Sequence, residues 1–227
     1  MPKYIRLMLS AVMMICSVAS LPALGKNAKP QGTKPQGTKG KVTLYERSKK
    51  AGGKVLLKYK ADRGTVYPNV EELAKRSDLI VIGRTLSHKA NLSPDERFIT
   101  QDFLVKVHEV IKGELPRGRA VLVSLPGGTH RFPDGAYAAM VPVGYTQPKD
   151  GGIYMFFLKT KKQSSTFKGY RLVSETQGIF AMTNGTVEPA DVAADDPVSL
   201  KYRKTSAASF LQQIHKAVPR KSGKGKQ

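Results

Sequence analysis

The sequence predicts a mainly β protein: a small antiparallel barrel with one short helix before it and one helix at the C-terminus. Two observations lead there. About six short runs of β-branched and aromatic residues follow one another between residues 79 and 187, separated by Gly, Pro and Asn-Gly signals, which is the pattern of an all-β barrel. Helical patterning appears only at the two flanks, so the strand–helix alternation of a doubly wound parallel sheet is missing.

The elements follow in chain order. Residues 41–45 and 54–59 both have strand composition, Ala51-Gly-Gly53 can turn between them, and two outcomes stay open: a hairpin, or a segment loosely attached to the domain. Asn69 is placed to cap a helix that carries Glu71 and Glu72 in its first turn and runs to about Arg76. A strand over 79–86 and a polar loop over 88–96 come next. The following strand runs from Phe98 to Lys112, where Phe103, Val105 and Val107 alternate with Leu104, Lys106 and His108. Residues 119–125 form a third strand, stopped by Pro126-Gly127-Gly128. Residues 127–150 read as a long loop, a length often reserved for function. The run 152–158 is wholly apolar and predicts a central strand. Strands over 170–173 and 178–182 follow, and Asn184-Gly185 turns the latter into Thr186-Val187. Residues 207–217 predict a helix with Phe210, Leu211 and Ile214 on one face.

The net charge of +21 is not spread evenly. It is +2 over residues 1–25, +10 over 26–60, +1 over 61–200 and +8 over 201–227. Basicity is therefore a property of the ends. Lys29-Pro-Gln-Gly-Thr33 repeats as Lys34-Pro-Gln-Gly-Thr38, and such a segment has almost nothing to bury. Four units are expected: 1–25, a basic low-complexity tail with possible strands over 26–60, a β-barrel domain over 61–217, and a second basic tail over 218–227.

The first unit reads as a cleavable signal peptide. Lys3 and Arg6 precede an apolar run over 7–19, Pro22 breaks it, and Ala23-Leu24-Gly25 supplies small residues for cleavage, with Val18-Ala19-Ser20 as a second cleavage site. A membrane span needs about 20 apolar residues, and this run is shorter. No other stretch is apolar for long enough. An exported chain, periplasmic or extracellular, with no transmembrane segment after cleavage is expected. The single cysteine, Cys16, would leave with the signal, which removes disulfides, thiolate zinc sites and thiol nucleophiles from consideration.

Several stretches resemble a pattern found in uncharacterised exported bacterial β-barrel proteins. These are Asp78-Leu-Ile-Val-Ile-Gly-Arg84, Val107-His-Glu-Val-Ile-Lys-Gly113, Pro126-Gly-Gly128, Tyr154-Met-Phe-Phe-Leu158 and Gln177-Gly-Ile-Phe180. The arrangement also resembles the OB-like barrel of tissue-inhibitor and netrin-type modules, and that resemblance implies an OB-like core. The metalloprotease inhibitors among those modules place an N-terminal cysteine on the target's zinc. The mature chain has no cysteine, so that route and its site residues do not transfer.

Chemistry-bearing residues are sparse. His88, His108, His130 and His215 lack partners at metal-ligand spacing, and neither a metal nor a cofactor is expected. Ser124, His130 and Asp134 sketch a hydrolytic trio without a nucleophile-elbow pattern. His130, Arg131 and Tyr137 are candidate ligand-binding residues of the 127–150 loop. Asp191, Asp195 and Asp196 lack a calcium-loop pattern. Lys29, Lys34, Lys39, Lys41, Arg220, Lys221, Lys224 and Lys226 are candidate polyanion contacts, aimed at an anionic envelope polymer or a membrane surface. A solvated tail that only keeps the protein soluble is the alternative. Nucleic acid is not expected, because the tails lack aromatic stacking groups. An unknown protein partner stays open. The functional expectation is an exported, non-enzymatic binding or interaction domain held at an anionic envelope surface. Its rival is an envelope hydrolase or carbohydrate-active enzyme using the 127–150 loop.

Overall fold

A computed structural model describes residues 42–60, 65–115, 118–160, 169–175 and 177–218. The signal segment, the repeated tail with Lys29, Lys34, Lys39 and Lys41, and the C-terminal tail from residue 219 with Arg220, Lys221, Lys224 and Lys226 lie outside the described residues. In chain order the elements are α1 (Leu44–Lys50), β1 (Lys54–Lys60), α2 (Val70–Arg76), β2 (Leu79–Leu92), β3 (Ile99–Lys112), β4 (Ala120–Pro126), β5 (Gly128–Arg131), β6 (Tyr137–Val143), β7 (Ile153–Thr160), β8 (Tyr170–Leu172), β9 (Ile179–Thr183), β10 (Thr186–Pro189), α3 (Pro197–Tyr202), β11 (Thr205–Ser206) and α4 (Ala207–Ala217).

Five strands close a ring in the order β2-β3-β4-β8-β7 and back to β2. All neighbours in the ring are antiparallel except β4 and β8, which run parallel and meet at the single pair Val123↔Tyr170. Counted along the chain, the ring reads first-second-third-fifth-fourth, with the third and fifth strands parallel. This is the closed Greek-key connectivity of the OB barrel. On its second edge, β7 also pairs with β9, which extends the sheet outwards through β10 and β11.

Two hydrophobic layers flank β2 and β7. Leu79 and Val81 of β2 and Phe156 and Leu158 of β7 point into the barrel, against Phe103, Val105, Val123 and Leu125. The alternate residues Ile80, Ile82, Met155 and Phe157 face α2, α3 and α4, where they meet Leu73, Val198, Tyr202, Phe210 and Ile214. Burial on both faces explains why these strands read as unbroken apolar runs rather than alternating ones. Asn69 caps α2 by accepting from the Glu72 amide at 2.9 Å, and α4 occupies residues 207–217 as its periodicity predicts.

Two sequence expectations are corrected here. Residues 42–45 do not form a strand. Thr43 and Glu46 build a reciprocal capping box, with Glu46 N–H donating to Thr43 Oγ1 at 3.1 Å and Thr43 N–H donating to Glu46 Oε2 at 2.8 Å, and α1 starts at Leu44. Nor is 127–150 one long loop. It contains the β5–β6 hairpin, turned at Pro133-Asp134-Gly135, where Gly135 has φ of +86° and the Asp134 carboxylate accepts from the Ala136 amide at 3.1 Å. β1 then adds to β6 in parallel, so a second, three-stranded sheet forms in the order β1-β6-β5. Its inner face packs Val55, Leu57, Ala138 and Met140 against Leu44, Phe98 and Ile99.

The stretches that carried the resemblance prove to be architectural. Gly83 sits where β2 crosses β3 so closely that a Cβ would lie 2.6 Å from the Lys106 carbonyl oxygen. Lys112 donates its ammonium to the last carbonyls of α2, Ala74 at 2.7 Å and Lys75 at 3.0 Å, and burial there holds it below the ordinary lysine range. Pro126-Gly127-Gly128 is the point where the chain leaves the barrel for the second sheet. The Pro126 carbonyl accepts from both Tyr145 Oη at 2.8 Å and Gln147 Nε2 at 2.9 Å. Gln177, buried, brackets the backbone of Tyr67 and donates to Asp196, which in turn caps α3. Among the described residues no helix is long and apolar enough to cross a membrane.

Candidate functional site

The hydrolytic trio is not assembled. Ser124 Oγ donates to Asp102 Oδ1 at 2.5 Å across β3 and β4, and Asn91 donates to the other oxygen of the same carboxylate at 2.8 Å. Asp134 serves α1 instead, accepting from Lys49 Nζ and Tyr45 Oη, each at 2.9 Å. The Lys49 ammonium, then the Ala136 amide and the Tyr45 hydroxyl, hold the Asp134 carboxyl down at about 2. The His130 ring packs edge-on against Phe132 with centroids 4.9 Å apart. Ser124, His130 and Asp134 make no hydrogen bond with one another among the described residues. Each is committed to its own neighbour.

Two of the three ligand candidates do come together. Arg131 and Tyr137 are cross-strand partners on β5 and β6, and Lys54 of β1 stands opposite Tyr137 with its ammonium 5.9 Å from the ring centroid. Side chains alternate across a strand, so His130 points to the other side of the sheet. The outer face of β1-β6-β5 therefore carries Lys54, Leu56, Lys58 and Lys60 from β1, Tyr137, Ala139, Val141 and Val143 from β6, and Thr129 and Arg131 from β5. Among the described residues no acidic side chain stands on it. Lys54, Lys58, Lys60 and Arg131 are exposed and have no ion-pair partner among the described residues. Between them Leu56 is 65 % exposed and Val141 and Val143 are each 45 % exposed. Lysines on an edge strand also discourage pairing with a foreign strand, which keeps this face open.

A second feature is a cleft of about 460 Å³ between the small sheet and the β4–β8 seam of the barrel. Tyr59 from β1, Phe98 before β3 and Tyr170 from β8 bring three aromatic rings to it, and Ser124, Arg171 and Ser174 add polar groups. Tyr59 stands edge-on to Phe98 at 5.3 Å and donates to Glu175 Oε2 at 2.8 Å. Burial pushes the Tyr170 phenol up. Ser174 Oγ is buried with no hydrogen-bond partner among the described residues, a deficit of about 1–3 kcal/mol.

The strand composition of residues 54–59 is visible in the sequence, but the one-sided placement of its lysines is not drawn from the charge of 26–60 as a whole. The alternation of Lys54, Leu56, Lys58 and Lys60 with Val55, Leu57 and Tyr59 was the signal that separates a one-sided strand from a charged coil. The cleft residues come from remote segments and leave no local pattern.

Fold and surface together define an OB-type barrel bearing an inserted basic sheet. No protein-family model matches the chain, and no curated protein matches it.

Proposed function

We propose that this chain is an exported binding module that attaches to an anionic lipid surface through the outer face of the β1-β6-β5 sheet. The observation that carries this reading is the composition of that face: four exposed cations, no acid, and three exposed aliphatic side chains among them. A soluble polyanion offers the lysines counter-charge but gives Leu56, Val141 and Val143 nothing to bury against. The interface of an anionic bilayer takes both. The basic segments at the two ends add attraction of the same sign, and the barrel serves as the rigid support. The signal-like first 25 residues support an exported location, and the two resemblances support the same assignment of class.

The test is co-sedimentation with phosphatidylcholine vesicles that contain phosphatidylglycerol. Each lysine near such a surface contributes about 1 kcal/mol, so the triple variant Lys54→Gln/Lys58→Gln/Lys60→Gln is expected to bind about 100-fold more weakly. Leu56→Ser is expected to weaken binding while leaving its salt dependence unchanged. Equal retention of the triple variant, or equal retention of the unaltered chain on pure phosphatidylcholine, contradicts the proposal.

A further inference from the structure

The geometry points to a second site, independent of the attachment face: the cleft between the small sheet and the β4–β8 seam binds a saccharide that carries a carboxylate. Its volume of about 460 Å³ lies in the range of small-ligand pockets. Three aromatic rings from separate segments, Tyr59, Phe98 and Tyr170, line one concavity. Aromatic faces of this kind suit a flat ligand ring with weakly polar C–H groups, or a nucleobase. The polar groups decide between these.

Glu175 contributes a carboxylate to the lining, which accepts hydrogen bonds from hydroxyl groups and disfavours the multiply charged phosphates of a nucleotide more than the single carboxylate that Arg171 can hold. The Ser124 hydroxyl already donates its hydrogen bond to Asp102 and offers lone pairs to a ligand. Ser174 borders the same cleft, with its Oγ buried beneath the cleft surface and without a partner among the described residues. A hydroxyl-rich ligand satisfies this mixture of donors and acceptors. Arg171 supplies one charge. It is exposed and has no ion-pair partner among the described residues, whereas its cross-strand neighbour Lys159 is paired with Asp78 at 3.9 Å. A guanidinium left in that position fits a carboxylate in a bidentate fork better than any neutral group.

The probes are trimers of galacturonate, glucuronate and mannuronate, each beside its neutral methyl ester, titrated into the intact chain and followed by amide NMR. At least one acidic trimer is expected to bind with a dissociation constant below about 1 mM and to shift the amides of residues 98–100, 124–126 and 170–175. Arg171→Gln, an exposed change that leaves the fold intact, is expected to weaken that trimer about tenfold and to abolish its preference over the ester. Lys58→Gln is expected to leave saccharide binding unchanged although it weakens vesicle binding, so failure of one site is distinguishable from failure of the other. The inference is overturned if no acidic trimer binds below about 1 mM, if the ester binds as well as the acid, or if Lys58→Gln and Arg171→Gln weaken binding equally, which would mark general charge attraction.

Discussion

Phe180→Ala is expected to lower the unfolding free energy by about 4 kcal/mol. Phe180 is fully buried and lies at the junction of sheet and helix. Its ring stands 5.6 Å from Phe157 of the central strand and 4.7 Å from Phe210 of α4, and Tyr202 of α3 continues the stack at 5.1 Å from Phe210. Truncation removes the transfer free energy of the ring and leaves a cavity whose walls are strands on one side and helices on the other. Those walls cannot collapse together, so the cavity cost adds to the transfer cost. Against a total stability of roughly 5–15 kcal/mol, such a loss brings the protein near its threshold. The chain contains no tryptophan, so far-ultraviolet circular dichroism in urea is the suitable readout. A midpoint unmoved by Phe180→Ala contradicts the placement of α4 on the sheet.

Gly113→Ala is expected to cost about 3 kcal/mol, by a different mechanism. Gly113 ends β3 with φ of +84°, a conformation strained for any residue with a Cβ, and the added carbon would run into the Asp78 carbonyl oxygen and lie 3.2 Å from Leu79 Cα. Both obstacles are backbone at the start of the first barrel strand, so neither moves cheaply. Gly144 supplies the control. It has φ of +92° but open space around it, and Gly144→Ala should cost only about 1 kcal/mol. Equal costs at the two positions would mean that the close approach of β3 to Asp78 contributes nothing.

The legible parts of the fold were those where one physical signal dominated. The run from Tyr154 to Leu158 is apolar throughout because both of its faces are buried, and nothing else in the chain competes with a strand there. Asn69 before Glu71 and Glu72, and the spacing of Phe210 and Ile214, are local helix signals, and the structure follows them. The illegible parts were those where two signals conflicted. Around Thr43 the β-favouring residues stood beside a Thr-x-x-Glu capping box, and the box prevailed because Leu44 is buried by docking the helix. Between Gly127 and Asp150 the glycines and prolines suggested a loop. Gly127 and Gly128 instead mark a strand changing sheets, where a Cβ on Gly127 would meet the Met140 carbonyl at 3.0 Å. Asp196-Pro197 is a cap followed by a first-turn proline, a helix start obscured by the acids Asp191 and Asp195 beside it, which read as metal-type carboxylates.

The site was less legible than the fold for a related reason. Charge was summed along the chain, which merged Lys54, Lys58 and Lys60 with the terminal cations. Alternation was the property that mattered, since it puts those three on one side and Val55, Leu57 and Tyr59 on the other. That Arg131 joins them could not be read locally, because it depends on β5 and β1 flanking the same strand, β6.

Amide hydrogen exchange of the intact chain, with and without phosphatidylglycerol-containing vesicles, tests the attachment claim most directly. The edge strand β1 has a strand partner on one side only among the described residues, and the amides on its other side are expected to exchange readily in the free protein. Docking of the outer face is expected to slow exchange over residues 54–60, 128–131 and 137–143 together. Slowing confined to residues 26–41 and 219–227, with β1 unchanged, would assign the attachment to the ends of the chain and contradict the account.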